Sequence, residues 1–252
     1  MSESRSSFGS AFDTGPSGVL MDRIYRRQRY IYDLTRKFYL LGRDGLIAGL
    51  SPPPDAGVLE IGCGTGRNLV KLARTYPNTL CYGLDVSAVM LETASNAIAR
   101  AGLSNRIRLA HADASSFDPL VLFGRAFFDR VVFSYTLSMI PPWREALRRA
   151  AACLSPTGSL HVVDFGDQAS SPPLFRAALE GWLALFHVTP RLSLAAALTD
   201  VARTRGLRCR TISSFRGYAL CAVLEPPSRA GGEDRRESEP RELSGRSSSF
   251  TR

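Results

Sequence analysis

Apolar residues occur in two patterns, which take turns along the chain. Short apolar runs are typical of buried strands, and five of them begin at Val58, Leu80, Ile107, Phe128 and Leu160. Between these runs, apolar residues recur at helical spacing on one face, over residues 68–76, 87–101 and 143–154. Strands that alternate with helices predict a parallel sheet covered by helices on both faces.

The last two apolar runs predict a reversed strand. Cys209–Phe215 and Tyr218–Glu225 are joined only by Arg216 and Gly217. So short a connection requires an antiparallel hairpin, because a parallel pair needs a long crossover. The predicted fold class is therefore α/β, with a seven-stranded, mostly parallel sheet and an antiparallel strand in its C-terminal hairpin.

The chain is predicted to hold one folded domain between two tails. Residues 1–20 are rich in Ser and Gly, and residues 226–252 mix charged residues with Ser, Gly and Pro. Such segments bury too little apolar surface to offset the entropy of ordering, so we expect both tails to be disordered. The domain is expected at residues 21–225, with an N-terminal helical cap at 21–50 and a helical insertion at 166–206.

Composition restricts the classes of partner without choosing one. The 252 residues carry a net charge of +9, which suits nucleic acid, an anionic membrane or a small acidic substrate. The charge is concentrated between Arg23 and Arg43, where seven basic residues accompany one acid. No apolar run approaches the roughly 20 residues of a spanning helix, and no secretory signal is visible, so we expect a cytoplasmic protein. The five scattered cysteines form no CxxC pair, so we expect reduced thiols and no metal.

A glycine-rich turn follows the first predicted strand. Glu60 precedes Gly62, Gly64 and Gly66, and a predicted helix comes next. Glycines let the backbone approach a ligand closely, and a helix N-terminus offers free N–H groups. A dinucleotide-binding GxGxxG is excluded because Arg67 stands where the third glycine is needed, and a GxxxxGK[ST] phosphate loop is excluded because no lysine follows. The remaining pattern, E-x-G-x-G-x-G, resembles motif I of the S-adenosylmethionine-dependent class I methyltransferases with a Rossmann-like fold.

Two acids follow the next two strands at the positions where this fold binds its ligand. Asp85 ends the second strand and can accept both ribose hydroxyls of a nucleoside. By the resemblance, Asp113 faces the adenine amino group, and Glu60 and the glycine turn lie against the methionine part of S-adenosylmethionine. The alternative is that both aspartates are only turn residues. The predicted cofactor-binding set also contains Tyr32, Arg43, Asn68, Val86, Met90, Ala114 and Ser134.

The fourth strand ends in a sequence that bears on the acceptor. Amino-purine and glutamine methylating members of the family carry Asn/Asp-Pro-Pro-aromatic at this point, whereas this chain has Ser134-Tyr135-Thr136-Leu137. The difference argues against methylation of nucleic-acid bases, and we expect no nucleic-acid partner. An RNA methyltransferase stays open as an alternative, because the segment from Arg23 to Arg43 is basic with aromatic residues interleaved.

Two further segments resemble the bacterial diacylglyceryl-homoserine N-methyltransferases of betaine-lipid synthesis. They are YIYDLTRKFYLLGRD, residues 30–44, and FHVTPR, residues 186–191. The resemblance implies that the amine of diacylglyceryl-homoserine receives three methyl groups in succession. The basic residues between Arg23 and Arg43 suit anionic headgroups, so we expect a peripheral association with the anionic inner face of the membrane. The resemblance also implies a partner enzyme that supplies the homoserine lipid. Phosphatidylethanolamine as the acceptor, and a non-catalytic protein that only binds the cofactor, are the alternatives.

Candidate catalytic and substrate-binding residues follow from the chemistry of methyl transfer to an amine. The reaction depends mainly on positioning, and the ammonium must lose a proton before the nitrogen can attack, because only the neutral amine has a free lone pair. Tyr32 and His187 are candidates to accept that proton or to orient the nitrogen. Tyr25 and Tyr135 are candidates for cation–π contact with the methylated ammonium, and Arg191 for pairing with the headgroup carboxylate. A core tyrosine and a turn-stabilising histidine are the competing explanations.

Overall fold

The computed structural model describes residues 40–168, 172, 174, 176, 179, 181, 183 and 188–227. Within these residues, the strands are β1 (Gly57–Ile61), β2 (Leu80–Asp85), β3 (Ile107–His111), β4 (Phe128–Ser134), β5 (Leu154–Phe165), β6 (Arg208–Ser214) and β7 (Ala219–Glu225). The helices are α1 (Arg43–Ala48), α2 (Arg67–Thr75), α3 (Ala88–Arg100), α4 (Pro119–Phe123), α5 (Trp143–Ala152) and α6 (Leu194–Arg205).

The strands form one seven-stranded sheet in the order β3-β2-β1-β4-β5-β7-β6. Strands β1 to β5 pair in parallel, and β7 runs antiparallel to both β5 and β6. The predicted fold class, including the reversed hairpin strand, is therefore confirmed. Strand β5 begins earlier than predicted, at Leu154, and its pairing with β4 shifts register between Phe128 and Arg130.

The position of the ligand cleft follows from the strand order. The chain proceeds outward from β1 to β3 and then returns to the other side of β1 with β4. In open parallel sheets, ligands bind at the carboxyl ends of the strands where this order reverses. Strand β1 is fully buried, and its carboxyl end leads directly into the glycine turn at residues 62–66.

The two faces of the sheet are covered by different helices. In β1, successive side chains point to opposite faces. Val58 packs in the cluster that contains Leu69 and Leu72 of α2, whereas Leu59 packs in the cluster that contains Leu147 of α5. Both layers are apolar and close-packed, so the carboxyl edge of the sheet is held rigidly between them.

A third apolar cluster lies at the carboxyl ends of β4 and β5. It brings together Leu40, Tyr135, Phe165, Leu183 and Val188, which are far apart in the sequence. The segment before α1 and the segment before α6 therefore meet beside the predicted ligand edge. None of the helices that the structure describes is long and apolar enough to span a bilayer.

Candidate active site

The glycine turn between β1 and α2 requires glycine. Gly62, Gly64 and Gly66 have φ angles of +73°, +53° and +75°, a region that side-chain-bearing residues rarely adopt. The amide of Gly62 donates a 2.8 Å hydrogen bond to the carbonyl of Leu84, which holds the turn against the end of β2. A Cβ atom on Gly62 would lie 2.5 Å from Cγ2 of Thr136. The turn is thus enclosed between β2 and the loop after β4.

Asp85 fixes the turn from the neighbouring strand. Its Oδ2 accepts a 2.8 Å hydrogen bond from the amide of Gly64, and its Oδ1 accepts one of 3.0 Å from the amide of Ser87. Each carboxylate oxygen has two acceptor sites, so both oxygens can accept a further bond from a ligand hydroxyl. The carboxylate is thereby oriented before a ligand arrives.

Asp113 lies at the same edge of the sheet as Asp85. The amide of Ala112 donates a 3.0 Å hydrogen bond to the carbonyl of Asp85, which ties the end of β3 to the end of β2. Oδ1 of Asp113 accepts from both the amide and the hydroxyl of Ser115, at 2.7 and 2.6 Å. The two acids therefore stand side by side with fixed orientations.

These groups line one cleft that encloses about 710 Å³, including the part open to solvent. The lining residues are Gly62, Gly64, Leu84, Asp85, Val86, Ala112, Asp113, Ala114, Thr136, Met139, Ile140, Pro141 and Pro142. Six residues of the predicted cofactor-binding set are among them: Gly62, Gly64, Asp85, Val86, Asp113 and Ala114. The cleft has two polar carboxylates on one side and an apolar wall on the other.

Other residues of the predicted cofactor-binding set support the turn from behind and do not line this cleft. Asn68 donates a 2.8 Å hydrogen bond from Nδ2 to Oε1 of Glu60, and both side chains are buried. Gly66 abuts Ala94 of α3 so closely that a Cβ atom would lie 3.0 Å from that residue's own Cβ. Met90 is buried where the Ser87 side chain caps α3.

Arg43 and Ser134 are also placed away from the cleft. Arg43 is buried at the start of α1, and its Nε donates to the carbonyl of Leu40 at 3.3 Å. Ser134 is buried at the end of β4, where it pairs in the sheet with Val163. Neither residue is among those that line the cleft.

The wall opposite the two acids is the loop that follows β4. The sequence predicted site residues only at Ser134 and Tyr135, where the loop leaves the strand, and not at residues 136–142 of the loop. Its Met139 and Ile140 precede Pro141 and Pro142, the pair predicted only as the entry to a helix. The pair does lead into α5, and it also closes the cleft. Two consecutive prolines after a strand end were the available signal, because prolines stiffen a connection at the ligand edge.

A buried carboxylate holds this loop from below. Oδ2 of Asp164, in β5, accepts a 3.1 Å hydrogen bond from the amide of Ser138, and Oδ1 accepts one of 2.8 Å from the amide of Phe165. Burial raises the pKa of Asp164 to about 6, although these hydrogen bonds favour the charged form. Asp164 was not predicted as a site residue.

Residues 188–191 hold the same loop from outside. Arg191 donates from Nε to the carbonyl of Leu137 at 3.2 Å and from Nη2 to the carbonyl of Ile140 at 2.9 Å. The amide of Thr189 donates a 3.0 Å bond to the carbonyl of Ser138. Arg191 was predicted to bind a substrate carboxylate; the structure shows its guanidinium clamping the cleft wall.

Tyr135 was predicted to contact the methylated ammonium, but it does not line the cleft. It has a φ of +58°, and its ring packs edge-on against Phe165, with the ring centroids 4.8 Å apart. Its hydroxyl donates a 2.6 Å hydrogen bond to the carbonyl of Leu41. Burial raises the pKa of this phenol above its usual range, so Tyr135 is neutral and structural here.

The remaining predicted site residues are not described by the structure. Tyr25, Tyr32 and His187 all lie outside the described residues. Their assignment to catalysis, cofactor binding or substrate binding therefore stays a prediction from the sequence.

Comparison with known proteins bears on the class of this site. Residues 58–158 match the family model described as methyltransferase domain. An O-methyltransferase of Pyrenophora dematioidea is 27% identical over 189 residues, which cover 73% of this chain and 67% of the fungal protein. An uncharacterized methyltransferase of Mycobacterium tuberculosis is 34% identical over 122 residues, which cover 48% of this chain and 57% of that protein. The solved structure of SibL, an S-adenosylmethionine-dependent methyltransferase, has a TM-score of 0.57 at 25% identity, covering 81% of this chain and 57% of SibL.

The fold, the glycine turn with its two acids and these matches all support the same class of protein, a methyltransferase. Residues 58–158 match a methyltransferase domain, and the sheet that contains them has the Rossmann-like fold found in the S-adenosylmethionine-dependent methyltransferase SibL. The chain spans 57–67% of the length of the three relatives named above. These relatives support the reaction class and do not define the acceptor.

The residues of the cleft fit S-adenosylmethionine. The glycine turn allows a ligand to lie directly against backbone. Asp85 presents two oriented oxygens, which suits the paired hydroxyls of a ribose, and Asp113 presents an acceptor for an amino group. Val86 and Ala114 supply apolar surface beside these acids, as an adenine ring requires.

Proposed function

We propose that the protein is an S-adenosylmethionine-dependent N-methyltransferase that adds three methyl groups to the amine of diacylglyceryl-homoserine. The methyltransferase domain supports the reaction class. The segments at residues 30–44 and 186–191, which resemble the betaine-lipid N-methyltransferases, support the acceptor. We further propose that the protein works at the cytoplasmic face of the membrane and receives its lipid from a partner enzyme.

One observation carries the proposed acceptor. The described parts of the two resembling segments meet at the same cleft wall, although they are about 150 residues apart in the sequence. Leu41, from the first segment, accepts the hydrogen bond of the Tyr135 hydroxyl at the start of the wall. Thr189 and Arg191, from the second segment, bond the carbonyls of residues 137, 138 and 140. Sequences that distinguish this branch are thus concentrated on the acceptor side of the cleft.

The chain's own residues would supply binding, orientation and exclusion of water. S-adenosylmethionine, when bound, supplies an electrophilic methyl group. The Gly62–Gly66 turn, Asp85 and Asp113 would hold the cofactor, and the clamped loop at residues 136–142 would hold the acceptor nitrogen in line. Its apolar residues keep water away from the reacting atoms, which strengthens the electrostatic interactions in the cleft. Tyr32 and His187 remain our candidates to take up the proton that the ammonium must lose before each transfer.

The experiment that tests this function is a direct methylation assay. The full chain is incubated with methyl-labelled S-adenosylmethionine and, separately, with diacylglyceryl-homoserine, phosphatidylethanolamine and RNA. We expect mono-, di- and trimethylated homoserine lipid in succession, detected by mass spectrometry. If the protein binds S-adenosylmethionine but labels only another acceptor, or none, the proposed substrate is wrong.

The two proposed catalytic residues can be tested in the same assay. A Tyr32→Phe/His187→Ala double variant should lose turnover. The His187→Ala single variant should keep its affinity for S-adenosylmethionine, whereas Tyr32→Phe can also weaken cofactor binding because Tyr32 belongs to the predicted cofactor-binding set. Each single variant serves as the control for the other. Full turnover by the double variant would remove both residues from the proposed mechanism.

Oxygen methylation is the second candidate function. Its support is the fungal O-methyltransferase, which is 27% identical over 73% of this chain. Fragmentation of the labelled lipid decides between the two reactions, because methyl groups on the amine remain with the nitrogen, whereas a methyl ester is released by mild base. A base-labile label on the homoserine carboxylate would favour the O-methyltransferase.

A further inference from the structure

A second concave surface lies between α2 and α3, on one face of the sheet and outside the cofactor cleft. We call it the α2–α3 groove. It is lined by Thr65, Arg67, Val70, Lys71, Arg74, Thr75, Thr93, Ala97, Arg100 and Ala101. Four of these ten residues are cationic and none is acidic. The remaining lining is small or neutral, which leaves the groove wide and open.

Helical spacing produces this concentration of charge. Arg67, Lys71 and Arg74 stand at positions i, i+4 and i+7 of α2, so they share one face of the helix. Arg100, the last residue of α3, completes the groove from the opposite side. The guanidinium groups of Arg74 and Arg100 form no hydrogen bond or ion pair with any residue that the structure describes. Like charges that are held close together on one face repel one another, so this surface favours the binding of an anionic partner.

The groove is connected to the acceptor side of the cofactor cleft. Asp44 of α1 forms ion pairs with Arg67 at 3.0 Å and with Lys71 at 2.8 Å. The segment at residues 30–44, which ends at Asp44, also contains Leu41, whose carbonyl accepts the hydrogen bond of the Tyr135 hydroxyl beside the cleft wall. Thr65, within the glycine turn, lies at this same end of the groove, whereas Arg74 and Arg100 stand near the C-terminal ends of α2 and α3. A partner that lies along this surface would therefore come close to the cleft at the Thr65 end of the groove.

We propose that the α2–α3 groove docks the protein on a membrane of anionic phospholipids. This inference rests on the proposed lipid substrate, and it names the surface that brings the enzyme to that substrate. Headgroup phosphates at a membrane offer a dense array of anions to Arg74 and Arg100. They offer the same to Arg67 and Lys71, which share the single carboxylate of Asp44. No aromatic residue lines the groove, whereas surfaces that hold single-stranded nucleic acid use aromatic side chains to stack on bases. The lining thus favours a lipid surface over RNA.

The test uses the full chain and two charge-matched double variants. Arg74→Gln/Arg100→Gln removes two groove cations, and Arg203→Gln/Arg208→Gln removes two exposed cations from α6 and β6, at the other edge of the sheet. Sedimentation with vesicles of phosphatidylcholine, with and without phosphatidylglycerol, measures partitioning. Each basic group near an anionic surface contributes about fivefold, so the groove variant should bind phosphatidylglycerol vesicles about 25-fold more weakly.

The control variant should bind these vesicles nearly as well as the wild type, and the affinity for S-adenosylmethionine should be unchanged in both. Equal loss in the two variants, no loss in either, or groove-dependent binding of RNA without binding of vesicles would overturn the proposal. A second readout separates this inference from the proposed function. Methylation of diacylglyceryl-homoserine in detergent micelles, without groove-dependent vesicle binding, refutes docking alone. Groove-dependent vesicle binding without methylation in either form refutes the substrate alone.

Discussion

The carboxylate of Asp85 accepts a 2.8 Å hydrogen bond from the amide of Gly64, so the end of β2 fixes the turn that follows β1. Both residues line the cleft, and the bond spans 21 positions of the sequence. The residue proposed to bind the ribose therefore also shapes the turn proposed to bind the methionine part. This coupling makes Asp85 the most informative single position of the cofactor side.

We predict that Asp85→Asn weakens the binding of S-adenosylmethionine by about tenfold to a hundredfold, because bonds to a charged acceptor contribute roughly 1.5–3 kcal/mol. An asparagine at this site keeps one acceptor oxygen and directs an NH₂ group at another donor. Isothermal titration calorimetry gives the affinity. Asp200→Asn, at an exposed position on α6, is the matched control. Unchanged affinity in Asp85→Asn would contradict the assignment.

The glycine turn allows a prediction that separates backbone strain from steric overlap. Gly62→Ala should destabilise the fold by about 3 kcal/mol or more, because the backbone has a positive φ and the new Cβ would lie 2.5 Å from Cγ2 of Thr136. Gly124→Ala, at a φ of +67° with no atom within 4 Å of its Cβ, should cost only about 1–2 kcal/mol. Urea denaturation measures both.

A double variant tests the source of the overlap. Thr136→Ser removes Cγ2 and keeps the hydroxyl that donates to the carbonyl of Ile61. Gly62→Ala/Thr136→Ser should therefore be more stable than Gly62→Ala. Equal stability of the two variants would show that Thr136 is not the obstructing residue.

The residues on the cofactor side of the cleft could be predicted from the sequence, because their positions depend on the order of strands and turns along the chain. Strands β1, β2 and β4 are mostly buried apolar runs, and β3 begins at the buried Ile107, so the ends of these strands could be predicted to within about one residue. In a parallel sheet, strand ends determine which side chains share an edge. The order of strands and turns along the chain was thus enough to place Asp85 and Asp113 together. The short helix α4 was missed, although Asp118 caps it and Pro119 begins it, because it is only five residues long.

The acceptor side was not predictable in the same way. Asp164 is an acid inside the apolar run of β5, and its bond to Ser138 depends on the register of β5 against β4. The bond between Tyr135 and Leu41 spans 94 positions. Tyr135 was expected to face a ligand because nothing in its neighbours reveals this distant partner. Packing between residues that are distant in the sequence determines where these side chains lie.

We predict that Asp164→Asn raises the KM for the acceptor lipid by about tenfold while the affinity for S-adenosylmethionine stays nearly constant. The carboxylate positions the cleft wall through the amide of Ser138, and replacing a charged acceptor weakens such a bond by roughly 1.5 kcal/mol. Steady-state kinetics gives the KM, and cofactor titration shows whether the variant is folded. A changed cofactor affinity with an unchanged KM would contradict this role.

The same residue predicts a pH effect on the reaction. Because the pKa of Asp164 is raised to about 6, the carboxylate takes up a proton as the pH falls through that value, and its bonds to the wall weaken. The wild-type kcat/KM for the lipid should therefore fall below pH 6 more steeply than that of Asp164→Asn, which cannot titrate. Protonation of the acceptor amine affects both proteins equally, so it cancels in their ratio. A ratio independent of pH would exclude Asp164 as the cause.

His161 predicts how the stability of the fold depends on pH. Its Nε2 lies 2.8 Å from Oγ of Ser159, and burial lowers the pKa of the imidazole from 6.5 to about 4. As the pH falls below 6.5, the unfolded chain binds a proton that the folded protein does not bind until about pH 4. The contribution of His161 to the free energy of unfolding therefore falls by about 2 kcal/mol between pH 7.5 and pH 5.

The raised pKa of Asp164 acts in the opposite direction, because below pH 6 the folded protein takes up a proton before the unfolded chain does. The pH dependence of the wild type alone therefore mixes two effects. The difference in free energy of unfolding between the wild type and His161→Gln isolates the histidine, since both proteins keep Asp164. Urea denaturation at the two pH values should show the wild type losing about 2 kcal/mol relative to the variant. A difference that stays constant with pH would mean that the folded protein accommodates a protonated His161.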